Sequence, residues 1–172
     1  MRLIKGVLFV LAGLFIFVTL ISLLIPSKIY VARAVAVQGD SLRIFNEISD
    51  LRNWKHWHPV FMRDSSSVHF TNDKRPAAEW TTGNKINRLI ITEKKYPYVK
   101  LALQREGEND IANILSLQPV TEQGNMQVQW QSVTYLKWYP WEKFGGIFTE
   151  KMTGPGYDIA LEGLKKYLQN NQ

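Results

Sequence analysis

The sequence predicts an α+β domain: a seven-stranded antiparallel sheet and a long C-terminal helix, preceded by one membrane-crossing N-terminal helix. Three observations predict it. Residues 6–25, GVLFVLAGLFIFVTLISLLI, run for 20 positions without a charge. From about residue 66 to 138, six short β-prone segments follow one another between turn residues. Near the C-terminus, Tyr157, Ala160, Leu161, Leu164 and Leu168 recur at three- and four-residue spacing, the mark of an amphipathic helix.

The apolar run comes first. At about 1.5 Å rise per residue it reaches across a bilayer core of about 30 Å. Thr19 and Ser22 are tolerated because their hydroxyls can bond back to helix carbonyls. Arg2, Lys5 and the amino terminus precede the run, and Lys28 and Arg33 follow it. That balance predicts a single-pass protein with a cytoplasmic N-terminus and its domain outside the cytoplasm, on the periplasmic or extracellular side. The competing reading is a cleaved signal peptide, for which Ala32-Arg33-Ala34 offers a small-x-small pattern. The apolar core exceeds the ~7–15 residues of such signals, and cleavage there would cut into the first strand. The expectation is an anchor over residues 1–27 and one domain over 28–172.

Composition narrows the function. Lys and Arg total 21 against 15 Asp and Glu, a net charge of +6, with no basic block dense enough to argue for nucleic acid. Attraction to anionic lipid headgroups is a plausible secondary effect for a tethered domain. The chain has no cysteine, which excludes disulfides, catalytic thiols and thiolate zinc sites.

Pro26-Ser27 stops the first helix. KIYVARAVAVQ, residues 28–38, alternates as a strand, with Ile29, Val31, Arg33, Val35 and Val37 on one face. Gly39-Asp40 breaks it, and Asp40 or Ser41 caps a helix that buries Phe45 and Ile48, helped by Leu42 or Ile44. A second short helix or turn follows and ends at Pro59. The six segments are SVHFTN, AAEWTT, INRLIITEKK, YVKLALQRE, IANILSLQPV and MQVQWQSVTYLKW. In the last, Met126, Val128 and Trp130 alternate with glutamines, so one face is dry and the other wet. Residues 139–153 read as an irregular aromatic loop, and Gly154-Pro155-Gly156 as the start of the last helix. Gly163 inside that helix costs about 1 kcal/mol relative to alanine, so it lets another backbone approach or leaves room beside it.

LRNWKHWHPVF, residues 51–61, is the densest candidate site. His56 and His58, with His69 or a carboxylate, suggest a metal. Metal sites need three or four converging ligands, and a helical turn splays residues two apart. Trp54 and Trp57 at i, i+3 instead suggest a brace against the sheet or last helix, with the histidines towards solvent or a cavity mouth. Glu79, Arg88, Glu93, Arg105 and Glu106 lie on or near strands, where an inward-facing member could polarise a ligand. No Gly-x-Ser-x-Gly elbow and no phosphate-loop glycine pattern occurs. No catalytic set, metal or cofactor is therefore expected. The aromatic loop, with Trp138, Tyr139, Trp141, Phe144 and Phe148, reads first as a lid closing one end of an internal cavity, because it directly precedes the helix that would cover the sheet; a membrane-interface contact is the second reading.

Two stretches carry a family resemblance. Residues 24–61 contain a Pro-Ser, a strand, a helix and an Asp-x-x-x-Trp-x-x-Trp-x-Pro series, here Asp50, Trp54, Trp57 and Pro59. Residues 156–169, GYDIALEGLKKYLQ, end on a Gly-Leu-x-x-Leu-Lys-like helix, with GLKK at Gly163 to Lys166 and Leu161 before it. Both resemble the polyketide cyclase/dehydrase-like branch of the START/Bet v 1-like (SRPBCC) superfamily, including its membrane-anchored members. Gly39-Asp40-Ser41 stands where that branch often has prolines, and His58 where a small polar residue is frequent. The middle of the chain matches only as architecture.

The resemblance implies a helix-grip fold, a curved sheet wrapped around the long helix and able to enclose an apolar cavity. Walls would come from Phe70, Trp80, Leu101, Leu103, Leu115, Leu117, Met126, Val128 and Trp130, opposite Tyr157, Leu161 and Leu164. Trp54, Trp57 and His58 would form the rim. Alternation alone does not separate such a pocket from a close-packed core; the resemblance favours the pocket. The expected function is binding of a hydrophobic small molecule or lipid by a domain tethered through residues 6–25. A cyclase- or dehydratase-like enzyme and a non-enzymatic subunit of a membrane complex are the alternatives. Oligomeric state is not legible.

Overall fold

Seven strands form where the alternation places them. The computed structural model describes residues 2–63, 67–71, 75–120 and 125–171. The first helix, α1 (Arg2–Leu23), is exposed along nearly its whole length and is long and apolar enough to cross a membrane; a signal sequence passes the same test. Thr19 Oγ1 donates to the Phe15 carbonyl at 2.8 Å and Ser22 Oγ to that of Thr19 at 2.7 Å, so neither hydroxyl is left bare.

Strand β1 (Lys28–Gln38) leads into α2 (Ser41–Ser49), whose N-cap Asp40 accepts from the Arg43 amide at 2.9 Å. Ile44, Phe45 and Ile48 are its buried face, while Leu42 is exposed. A 3-10 turn (Asn53–His56) and α3 (Pro59–Arg63) follow. Pro59 thus opens a helix rather than ending one. The first turn needs no N–H from that position, and proline's fixed φ already suits it.

The remaining strands are β2 (His69–Thr71), β3 (Ala77–Thr82), β4 (Lys85–Lys95), β5 (Tyr98–Arg105), β6 (Ile111–Pro119) and β7 (Asn125–Tyr135). They lie antiparallel in the order β1-β7-β6-β5-β4-β3-β2. β7 stops at Tyr135, three residues earlier than the sequence pattern suggests, where the Leu136 amide turns to bond the Ser27 carbonyl at 2.8 Å.

Residues 139–153 are not an irregular loop. They form α4 (Pro140–Gly146) and the first turn of α5 (Thr149–Asn170), which runs straight through Gly154-Pro155-Gly156. The punctuation is overridden by tertiary contact. A Cβ on Gly154 would collide with the Arg33 guanidinium, which reaches Glu150 and Asp158, each at 3.3 Å, and so ties α5 to β1. Pro155 is exposed, so water can take the carbonyl whose helix partner it removes.

α5 packs along β1, and α2 covers β5 and β6. Gly163 sits against the backbone of Trp57; a Cβ there would overlap its carbonyl oxygen. The fold is an α+β helix grip.

Candidate functional site

A cavity of about 410 Å³ lies between the sheet and the N-terminal half of α5. The strands contribute Trp80, Leu89, Leu103, Arg105, Ile111, Asn113 and Trp130. Trp54, His58, Val60 and Phe61 close one side, and Met152, Thr153, Gly156 and Tyr157 line the helix side. The alternation explains the strand residues: each stands on the inward face of its strand.

Of the twelve predicted wall residues, Trp80, Leu103, Trp130 and Tyr157 line this space. Leu101, Leu115, Leu117, Val128, Leu161 and Leu164 are close-packed core, and Phe70 and Met126 pack partly buried against it. The strands curve over α2 and the middle of α5, which consumes the dry faces there and leaves room only further along. Trp54 and Trp57 are not rim residues, since both are almost wholly buried. Trp54 lines the cavity from within the core, whereas Trp57 is held against α5 beside Gly163. The stretch from Leu51 to Phe61 is thus a brace, with one histidine at the cavity.

His56 and His58 diverge. The His56 ring stacks on Tyr167 at 5.4 Å, outside the cavity. His58 stacks on Trp54 at 5.1 Å and meets Phe61 edge-on at 5.2 Å. Burial among these rings pushes its imidazole down to about 3 from the usual 6.5, so it is neutral at physiological pH. Its Nδ1 is buried and makes no hydrogen bond among the described residues. No cluster of three His, Asp or Glu side chains able to hold a metal occurs among them.

The cavity's polar groups are few. Asn113 accepts from Trp130 Nε1 at 3.0 Å and from the Tyr157 hydroxyl at 3.5 Å, while its own amide donates to the Ile111 carbonyl at 3.0 Å. Asn113 was not among the expected residues, nor were Phe61, Leu89, Ile111, Met152 and Thr153. A signal existed for Asn113: it interrupts the dry series Ile111, Leu115, Leu117 at an inward position. Arg105 continues Leu101 and Leu103 in the same way, and of the five strand charges named above it is the one that lines the cavity. Its guanidinium lies 3.6 Å from Glu108, and its Nε is buried with no hydrogen bond among the described residues. Glu79 and Arg88 pair with each other at 3.0 Å, and Glu93 takes Lys100 at 2.6 Å.

A groove continues from the cavity. It shares Arg105, Ile111 and Thr153 with the cavity wall and runs past Leu136, Tyr139 and Trp141.

The same arrangement of sheet and helix recurs in solved structures of low sequence identity. A START superfamily protein from Mycobacterium smegmatis matches with a TM-score of 0.61 and 13% identity, over 83% of this chain and 99% of that one. The chain has the START-like helix-grip fold. CalU16 from Micromonospora echinospora matches at 0.56 and 11% identity, over 84% of both chains. DynU16, a protein of the dynemicin biosynthetic locus, matches at 0.58 and 10% identity over 83% of this chain, which spans only 48% of DynU16's length. No protein-family model and no curated protein matches the sequence.

Proposed function

We propose that the protein binds a hydrophobic small molecule or lipid in the cavity between sheet and α5, tethered to a membrane by residues 6–25. The observation that carries this reading is the cavity itself. Its volume of about 410 Å³ falls within the ~300–1,000 Å³ typical of small-molecule sites. Its walls are mainly aromatic and aliphatic, and Arg105, Asn113, Tyr157, His58 and Thr153 supply its polar groups. Burial of apolar ligand surface supplies the affinity, and those groups hold the ligand's polar atoms. Tethering keeps the site close to a lipid source.

The alternative of a cyclase- or dehydratase-like enzyme draws on His58, a neutral imidazole on the cavity wall with Nδ1 unbonded among the described residues. Turnover of the bound compound is the observation that would favour it. The complex-subunit alternative expects no cavity but an exposed apolar patch; the cavity counts against it, and the exposed rings of α4 are the surface it would use.

The test is to purify the full chain, denature it and search for released small molecules by mass spectrometry. A stoichiometric apolar compound is expected, and Leu103→Trp, which fills the cavity, should remove it. A clean spectrum from folded protein that also takes up no hydrophobic fluorescent probe would falsify the reading.

A further inference from the structure

The apolar surface that the fold leaves uncovered is not scattered. Trp141, Phe144, Phe148 and Met152 recur at three- and four-residue spacing along α4 and the start of α5, and all are exposed. Trp138 and Ile147 extend the same surface. Apolar side chains gathered in this way mark a contact face rather than ordinary surface.

What lies beside this face identifies its occupant. The opposite side of α4 is clamped to the turn that follows α1: buried Lys143 donates to the Ile25 carbonyl at 2.8 Å and to Ser27 Oγ at 2.6 Å. Gly146 is pressed so closely on Leu136 and Ile29 that a Cβ would strike both. The aromatic face is therefore held at the level where the charge-free run 6–25 ends. Charge points the same way. Glu142 takes the Asn109 amide and Glu150 the Arg33 guanidinium, while Lys137 and Lys151, next to Trp138 and Met152 in the chain, and Lys28, over the Tyr135 ring, are exposed.

We propose that the Trp141–Met152 face docks into the headgroup layer of the bilayer that holds α1, with the lysines towards anionic headgroups, so that the groove past Trp141 and Tyr139 opens the cavity to the membrane. Trp and Tyr are favoured at that depth, where an apolar ring and a polar edge are both satisfied. Met152 belongs to both the face and the cavity wall, and Thr153 beside it to both cavity and groove, so an apolar ligand leaving the bilayer would pass between them and Arg105 without crossing water. This rests on the tethered-binder reading, which supplies both the membrane and the cargo.

The chain has no cysteine, so single reporters can be placed cleanly. Full-length Trp141→Cys, Phe148→Cys and Met152→Cys carry a bimane label in phosphatidylcholine vesicles with and without phosphatidylglycerol. Lipids bearing a doxyl group just below the headgroup serve as quenchers for the face, and lipids bearing it near the acyl-chain end for the anchor position. Ile16→Cys reports the anchor, and Ile86→Cys an exposed apolar site on β4. Labels at 141, 148 and 152 should be quenched severalfold more than the label at 86, and more strongly with phosphatidylglycerol present. Quenching at 16 alone overturns the docking face and spares the tether; no quenching at 16 overturns both. Labels shielded from lipid quencher and aqueous iodide alike would assign the face to a second protein chain and also overturn the proposal. Uptake of a fluorescent fatty acid by the same vesicles reads the cavity separately, so its loss would count against the ligand reading without touching the face.

Discussion

Two aromatic clusters of similar composition meet opposite fates in this molecule. Trp54, Trp57 and Phe61 are each 1% exposed, whereas Trp138, Trp141 and Phe148 are 57%, 67% and 58% exposed. The difference lies in what small or polar residues permit on the far side. Gly163 lets the α5 backbone close on Trp57, and Trp130 fills the space beside Trp54 at 5.4 Å. In α4 the inward positions belong to Pro140, Lys143 and Gly146; Lys143 satisfies the turn after α1 and Gly146 fits against Leu136, so the rings turn outward. Aromatic content alone does not tell a brace from a contact surface; the neighbours of the cluster do.

The largest expected effect separates the clusters directly. Trp54→Ala should cost about 3–5 kcal/mol, because a fully buried ring leaves a cavity that its neighbours cannot refill. Its Nε1 hydrogen bond to the Ile48 carbonyl at 3.2 Å is lost as well. Trp141→Ala should stay within about 0.5 kcal/mol, as exposed substitutions usually do. Denaturant titration of the full chain in detergent compares them, and equal losses would erase the distinction between brace and surface.

Next in size is the effect of acid on the buried cluster. The His58 imidazole is held near 3 in the folded protein against 6.5 in the unfolded chain. Between those values the unfolded state binds the extra proton, so stability is fully present above pH 6.5 and falls as pH drops towards 3. At about 1.4 kcal/mol for each pH unit below 6.5, the loss reaches about 3 kcal/mol by pH 4. His58→Phe, which keeps a ring in the stack and removes the proton site, should flatten the pH 4–7 stability curve by that amount. An unchanged difference between pH 7 and pH 4 would mean that His58 is better solvated than its packing implies.

Strand alternation made the sheet legible, because a period of two survives whatever packs on either face. β1, β3, β4, β5 and β6 all begin and end within one residue of the segments read from sequence. The cap was legible to within Asp40 or Ser41, and Gly163 as either a close approach or room beside the helix; the structure chooses Asp40 and the close approach. The boundary between cavity and core was not. Leu115 and Leu103 occupy equivalent inward positions on neighbouring strands, yet only Leu103 faces open space. That outcome depends on where α2 and α5 lie over the sheet, a long-range matter that no local pattern carries. The helix through Gly154-Pro155-Gly156 was hidden for a related reason: Arg33, far away in sequence, sets the spacing there.

The smallest effect probes the contact that makes the brace possible. Gly163 faces the Trp57 carbonyl oxygen, which belongs to backbone and cannot swing aside as a side-chain tip could. Gly163→Ala must therefore push α5 away from the tryptophan turn, and overpacking of this kind costs about 1–3 kcal/mol. Helix propensity opposes it by about 1 kcal/mol in favour of alanine, so the net loss should be up to about 2 kcal/mol, towards the upper end because the clash is with backbone. Gly145→Ala is the matched control, because nothing lies within 4 Å of a Cβ there and the propensity gain should stand alone. The two substitutions should thus shift the melting temperature in opposite directions. If Gly163→Ala stabilised the protein as Gly145→Ala does, α5 would not be in contact with the Trp57 backbone, and burial of the first aromatic cluster would need another cause.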